Sequence, residues 1–155
     1  MAGRVELKLA ELGITLPEPM APIANYVPYV VTGNLVAVSG QVPAKNGKVA
    51  ITGKVSWGVS VEQAREAAQL CFVNVLVHLK AACGGDLDRV RRVVRLGGFV
   101  AAPSDFNQHA VVMNGASDLA VAVFGEAGRH ARTTIGVPSL PADAAVEVEG
   151  LFEIA

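Results

Sequence analysis

The chain has 155 residues, 52% of them apolar and 17% charged, with a formal net charge of -1, which fits one globular domain and leaves little room for two. The low charge excludes a disordered or collagen-like chain, and the 16 glycines and 8 prolines are those of a compact fold with many tight turns. So few charges also imply that part of the surface faces another subunit.

Residues 4 to 12 have high helix propensity and Gly13 is a good stop, so a short N-terminal helix is expected. Pro17, Pro19, Pro22 and Pro28 then break regular structure, which makes Thr15 to Tyr26 an extended connector. Tyr29 to Val31 and Leu35 to Gln41 read as strands joined by a tight turn at Thr32-Gly33-Asn34, and a third short strand is expected around Val49 to Thr52. The clearest element is a helix from about Ser60 to Ala82, with Val61, Ala64, Ala67, Ala68, Cys71, Phe72, Val75, Leu76 and Leu79 on one stripe. Ser60 and Gln63 form its capping box, and Gly84-Gly85 ends it.

Arg89 to Ala101 is expected to be a long strand with a bulge or bend at Gly97-Gly98. A second helix from about Asn107 to Phe124, a strand Ala131 to Val137, a turn Pro138 to Pro141 and a closing strand Ala144 to Ile154 complete the chain. In the last strand Val146, Val148, Phe152 and Ile154 share one face, and Glu147, Glu149, Leu151 and Glu153 share the other. This order of elements predicts an α+β fold with both long helices on one side of the sheet. The other side is left for solvent or a partner.

No apolar run reaches the roughly 18 residues of a membrane span. Glu6 and Glu11 interrupt the region where a signal peptide needs a continuous apolar stretch, so a cytoplasmic protein without a membrane partner is expected. Cys71 and Cys83 lie twelve apart on one helix, too far along its axis to bridge, and read as buried thiols. The histidines are scattered: His78, among valines, reads as a satisfied core or interface residue, and with His109 and His130 it builds no metal site. Nucleotide-binding loops and a nucleophile elbow are both missing. The net charge disfavours nucleic acid as a partner, and only the cluster Arg89, Arg91, Arg92, Arg95 points the other way.

Four blocks stand out: Pro22 to Tyr26, Val38-Ser39-Gly40-Gln41, Ala131 to Pro141, and Val146-Glu147-Val148-Glu149. In this order and spacing they resemble the Rid family of reactive intermediate deaminases, also called the YjgF or endoribonuclease L-PSP family. The resemblance runs from about Pro22 to the C-terminus, within a single domain spanning 1–155 whose first 20 residues are a helical extension and connector. It implies a chorismate-mutase-like α+β fold, a homotrimer with active sites between subunits, and hydrolysis of 2-imino or 2-enamino acids to 2-keto acids and ammonia without metal or organic cofactor. By the same resemblance Arg132 binds the carboxylate of a small metabolite and Glu147 is the family's glutamate; the chemistry then calls for a water held by Glu147 and backbone carbonyls, with the Thr134 hydroxyl to relay a proton or orient the adduct. Tyr26, Ser39, Gly40, Gln41 and Asn114 line the cleft.

The sequence departs from the family pattern at four places. Thr134 stands where cysteine is common, Asn25 where proline is usual, the stretch between Phe106 and Asn114 is longer, and the N-terminal helix is added. A divergent subgroup is implied. Two other functions stay open: a carboxylate-binding regulatory trimer without turnover, and RNA cleavage. Without the resemblance, Arg132 would be a partly exposed strand charge, Glu147, Glu149 and Glu153 a polar sheet face, and Trp57 part of a loop wall.

Overall fold

The computed structural model describes residues 2–19 and 24–155. Pro22 and the middle of the expected connector lie outside the described residues. In chain order the elements are α1 (Arg4–Glu11), β1 (Tyr29–Thr32), β2 (Leu35–Gln41), β3 (Ala44–Lys45), β4 (Lys48–Val49), β5 (Lys54–Val55), β6 (Gly58–Val59), α2 (Val61–Ala82), β7 (Val90–Ala101), α3 (His109–Phe124), β8 (Ala131–Val137) and β9 (Val146–Ile154).

Five strands form one sheet in the order β1-β2-β9-β7-β8. All neighbours are antiparallel except β7 and β8, which are parallel and joined through α3, because a return to the same edge needs a helical crossover. α2 packs on β1, β2 and β9, while α3 packs on β7 and β8 and against α2. Phe72, Leu76 and Leu79 of α2 are wholly buried in one core with Val36, Leu96, Val148 and Phe152 of the sheet, each such side chain stabilising the fold by about 1.5–3 kcal/mol. Ser60 and Gln63 exchange the two hydrogen bonds of the expected capping box, 2.9 and 3.0 Å. Cys71 and Cys83 are free and buried, and His78 is buried.

Gly115 sets the spacing of the two long helices, since a Cβ there would collide with the Arg65 carbonyl. The stretch His109–Gly128 is long and apolar enough to cross a membrane by length and composition alone, but Asn114, Ser117, Asp118 and Glu126 interrupt it, so it is not a continuous apolar run of that length. Its apolarity is that of a core helix: Val112, Met113, Ala116, Leu119, Ala120 and Val123 are buried, and Asp118 on its outer face pairs with Arg65 at 2.9 Å.

Two expectations are corrected. The single strand near Val49 to Thr52 is instead the hairpin β3–β4, whose turn Asn46-Gly47 takes φ of 54° and 79°; an Asn-Gly pair favours this two-residue turn. Gly97 and Gly98 carry no bulge. The register shifts lie earlier, between Val90 and Arg92 and between Val93 and Arg95. The two glycines are there for space: a Cβ on Gly97 would sit 2.9 Å from Glu149 Cγ, and one on Gly98 would sit 2.5 Å from Met113 Sδ.

α1 is docked onto the domain. Val5 and Leu9 are buried, Glu6 pairs with Lys80 of α2 at 3.3 Å, and Asp88 accepts from the Arg4 and Val5 backbone at 2.8 and 2.9 Å. That carboxylate satisfies two amides that no helix can satisfy by itself, and these bonds hold the Asp88 carboxyl below its ordinary range. Of the basic cluster, Arg89 is structural, donating to the Cys83 and Ala155 carbonyls.

Opposite the helices the sheet has no cover from the described residues. Register rows place Val30, Ala37, Leu151 and Arg95 side by side there, with Glu147, Phe99 and Ile135 in another row. Val30 and Ile135 are 52% and 47% exposed.

Candidate active site

Alternation along β8 turns Arg132, Thr134 and Gly136 toward α3, and Thr133 and Ile135 toward the open face. α3 is apolar on its packed side, but Asn114 and Ser117, three residues apart, share the stripe that meets this edge. Arg132 Nη1 donates to Asn114 Oδ1 at 2.8 Å and to Ser117 Oγ at 3.0 Å, and Nη2 donates to the Ala110 carbonyl at 3.4 Å. All three acceptors are neutral. Among the described residues Arg132 forms no ion pair, and Nε–H and one Nη2–H of its five donors have no acceptor.

Beside the guanidinium lies an open depression of about 310 Å³ lined by Asn107, His109, Ala110, Arg132 and Thr134. Thr134 Oγ1 is buried with no hydrogen-bond partner among the described residues, an arrangement that costs about 1–3 kcal/mol for a hydroxyl. His109 lies over Gly136, where a Cβ would come 2.7 Å from Nε2. Its ring meets Phe106 edge-on at 5.0 Å between centroids.

The remaining expected residues gather around the end of β2. Ser39 Oγ donates to the Val27 carbonyl at 2.7 Å and Ser39 N to the Pro28 carbonyl at 2.9 Å. The connector, with Tyr26 half exposed, is thereby tied to the strand. Gln41 Nε2 donates to the Ser39 carbonyl at 3.0 Å. The Glu147 carboxylate lies on Gly40. Burial, and secondarily the charge of Glu149, push the Glu147 carboxyl above its ordinary range.

Within one chain these are two separate groups. Arg132, Thr134 and Asn114 lie on the helix side of edge strand β8, whereas Glu147 stands in register with Phe99 and Ile135 on the opposite face. Among the described residues, no three His, Cys, Asp or Glu side chains cluster as metal ligands.

Sequence reasoning missed Ser117, His130, His109, Asn107 and the Ala110 carbonyl. Two signals would have found the first two. Asn114 and Ser117 are a polar pair at helical spacing in an otherwise apolar stretch, and His130, Arg132 and Thr134 alternate onto one strand face.

The family described as "YjgF/chorismate_mutase-like, putative endoribonuclease" matches residues 6–153. A Trypanosoma cruzi protein, TCP17, is 46% identical over 154 residues, covering 99% of this chain and 96% of its own. The structure of Atu1372 from Agrobacterium tumefaciens, a protein of unknown function, superposes with a TM-score of 0.91 at 49% identity, covering 97% of this chain and 92% of that one. A Shewanella oneidensis MR-1 protein solved as a "putative endoribonuclease" superposes with a TM-score of 0.94 at 34% identity, covering 98% of this chain and 100% of that one. These similarities include α1 and extend over nearly the whole chain, and on them the chain belongs to the YjgF/chorismate mutase-like family.

Proposed function

We propose that the chain hydrolyses reactive 2-imino and 2-enamino acids to 2-keto acids and ammonia, in clefts between the subunits of a homotrimer. The observation that carries this reading is Arg132: a half-buried guanidinium braced by three neutral acceptors, without a carboxylate partner among the described residues. A cation held this way is a preformed anion receptor, and its planar fork fits a carboxylate. Fixing the carboxylate fixes the adjacent C=N carbon, and such positioning is itself catalytic.

The chemistry then needs one water and proton transfers. Water adds to the imine carbon to give a carbinolamine. The C–N bond then breaks, the oxygen keeps the carbon as a ketone, and the nitrogen leaves as ammonia after gaining a proton. Glu147 suits the proton traffic because burial, and then Glu149, raise its carboxyl above the ordinary range and make it the more ready to hold a proton. Thr134 offers an unpaired hydroxyl beside Arg132. Tyr26, Ser39, Gly40 and Gln41 supply the wall on the Glu147 side.

Arg132 and Glu147 lie on opposite faces of one sheet, so a small substrate touching both takes them from two copies. An uncovered sheet face with exposed Val30 and Ile135 supports the same assembly.

A second reading is a carboxylate-binding trimer without turnover, which the enclosed Thr134 hydroxyl favours. RNA cleavage has behind it the endoribonuclease descriptions of the family and of the Shewanella structure and, in this chain, the exposed Arg91, Arg92 and Arg95. The deciding experiment generates iminopropionate in situ and follows ammonia release, with sedimentation on the same sample. Accelerated release by a trimer is expected. A trimer that is stabilised by pyruvate and leaves the release rate unchanged is the binder, and a folded monomer removes the shared cleft.

A further inference from the structure

Three hydrogen bonds form a chain behind Arg132 that no part of the proposed chemistry has used. His130 Nδ1 lies 2.6 Å from the Gly128 carbonyl, His130 Nε2 lies 2.8 Å from Ser117 Oγ, and Ser117 Oγ lies 3.0 Å from Arg132 Nη1. The directions of the two outer bonds follow from the groups at their ends. A carbonyl only accepts, so Nδ1 carries a proton and donates to Gly128. The guanidinium only donates, so Ser117 Oγ accepts from Arg132. One bond is left, and a neutral ring with its proton on Nδ1 accepts at Nε2 from the serine hydroxyl. Both ends are fixed: Gly128 is packed so closely on α3 that a Cβ would meet the Ala120 carbonyl, and Arg132 is held as well by Asn114.

We infer that His130 is a positioning residue for the carboxylate clamp: by taking the Ser117 proton it turns the serine lone pairs toward Arg132 and locks the guanidinium plane. Without the ring acceptor, the serine hydroxyl is free to rotate its own proton toward the guanidinium. Nη1 then loses one of its two acceptors, and the guanidinium can turn about its Asn114 bond. The locked arrangement spends both Nη1 protons on the protein and leaves Nε–H with one Nη2–H for the ligand. Ser117 and His130 touch no atom of the substrate; they act through Arg132. This rests on the reading of Arg132 as a carboxylate receptor, although the bond chain itself does not.

The test separates the two. In the full chain, ¹⁵N spectra of the histidines are expected to show His130 neutral, protonated at Nδ1 with a bare Nε2. Pyruvate serves as the probe in calorimetric titrations of four forms. A glutamine side chain can place an acceptor where Nε2 stood and an asparagine cannot. His130→Gln is therefore expected to keep affinity, while His130→Asn and Ser117→Ala weaken it about tenfold, the scale of one hydrogen bond to a charged group. The double variant Ser117→Ala/His130→Asn is expected to bind no more weakly than Ser117→Ala alone, because both remove one path. Exchange of the Arg132 Nε proton with water is expected to be faster in His130→Asn than in the parent. A bare Nδ1, equal pyruvate affinity for His130→Asn and the parent, or additive losses in the double variant would overturn the inference. A His130→Asn protein that is less stable yet binds pyruvate normally assigns the histidine a structural role only and likewise overturns it. If the parent binds no pyruvate, the carboxylate reading falls, and the tautomer and the Arg132 exchange rate decide the positioning role without it.

Discussion

The Glu147 carboxylate rests on the bare backbone of Gly40, where an added Cβ would fall 2.5 Å from Oε1 and 3.0 Å from Cδ. Gly40 sits where the β2–β9 register shifts, between Val38 and Gln41. The close approach gives the glycine a role that a turn does not explain: it leaves room for the end of a flexible acid.

Gly40→Ala is therefore expected to move the carboxylate and leave the fold intact. The neighbour that must give way is a side-chain end, so the loss of stability should stay below about 1 kcal/mol, whereas a displacement of about 1 Å at a reacting group costs on the order of a hundredfold in rate. Thermal melts and initial rates on one preparation check this. Unchanged turnover would remove Glu147 from the chemistry.

Glu147 also predicts a pH signature. Its carboxyl is raised in the folded chain by burial, then by Glu149, so ionising it disfavours the folded state. The penalty is absent at low pH, develops as pH rises past the unfolded value, and is complete above the raised one. Glu147→Gln should therefore be more stable than the parent near neutral pH, with the difference vanishing below about pH 4. Turnover in the same variant should fall about a hundredfold or more. Denaturant melts across that range check the sign, and a glutamine variant less stable at neutral pH would contradict it.

The long elements were legible because burial wrote a period into them. The α2 stripe from Val61 to Leu79 and the β9 alternation from Val146 to Ile154 each have one solution. Arg132 was legible only through a four-block resemblance, since one arginine on a strand has no local signature. Of its brace, Asn114 came with the same resemblance, whereas Ser117 and His130 showed only as polar spacing and not as a contact: they are 13 residues apart in sequence and meet because β8 runs parallel to β7 and returns beneath α3. The Gly97-Gly98 pair was misread for a similar reason. What sets it is contact with Glu149 and Met113, and a sequence shows a glycine without showing what lies above it.

The N-terminal helix yields a separate prediction. Asp88 holds the first turn of α1 through the Val5 and Arg4 amides, and these bonds keep its carboxyl lowered. The stabilisation is present above the ordinary carboxyl range and is lost as pH falls through the lowered value. Asp88→Ala should cost about 1 kcal/mol, the lower part of the capping range because the site is exposed. Hydrogen exchange should quicken in α1 and leave β8 unchanged. Uniform loss of protection across the domain would mean that α1 is part of one cooperative unit with the sheet.

Arg132 gives the sharpest test, because its environment separates a functional cation from a structural one. A buried ion pair that loses one partner leaves an orphan charge and costs about 3–5 kcal/mol. Arg132 is held by Asn114, Ser117 and the Ala110 carbonyl, all neutral, so its removal orphans no charge. Arg132→Ala should therefore fold and assemble like the parent, within about 1 kcal/mol, while losing pyruvate binding and turnover. Arg132→Lys keeps the charge but not the planar fork, and lysine cannot reach Asn114, Ser117 and a carboxylate with fixed angles. It should bind weakly and lose about a hundredfold in rate through misplacement of the reacting carbon. Calorimetry with pyruvate, ammonia release from iminopropionate and sedimentation, run on the three proteins together, distinguish the cases. An alanine variant that unfolds marks Arg132 as structural, and one that deaminates at the parental rate leaves the clamp without a function.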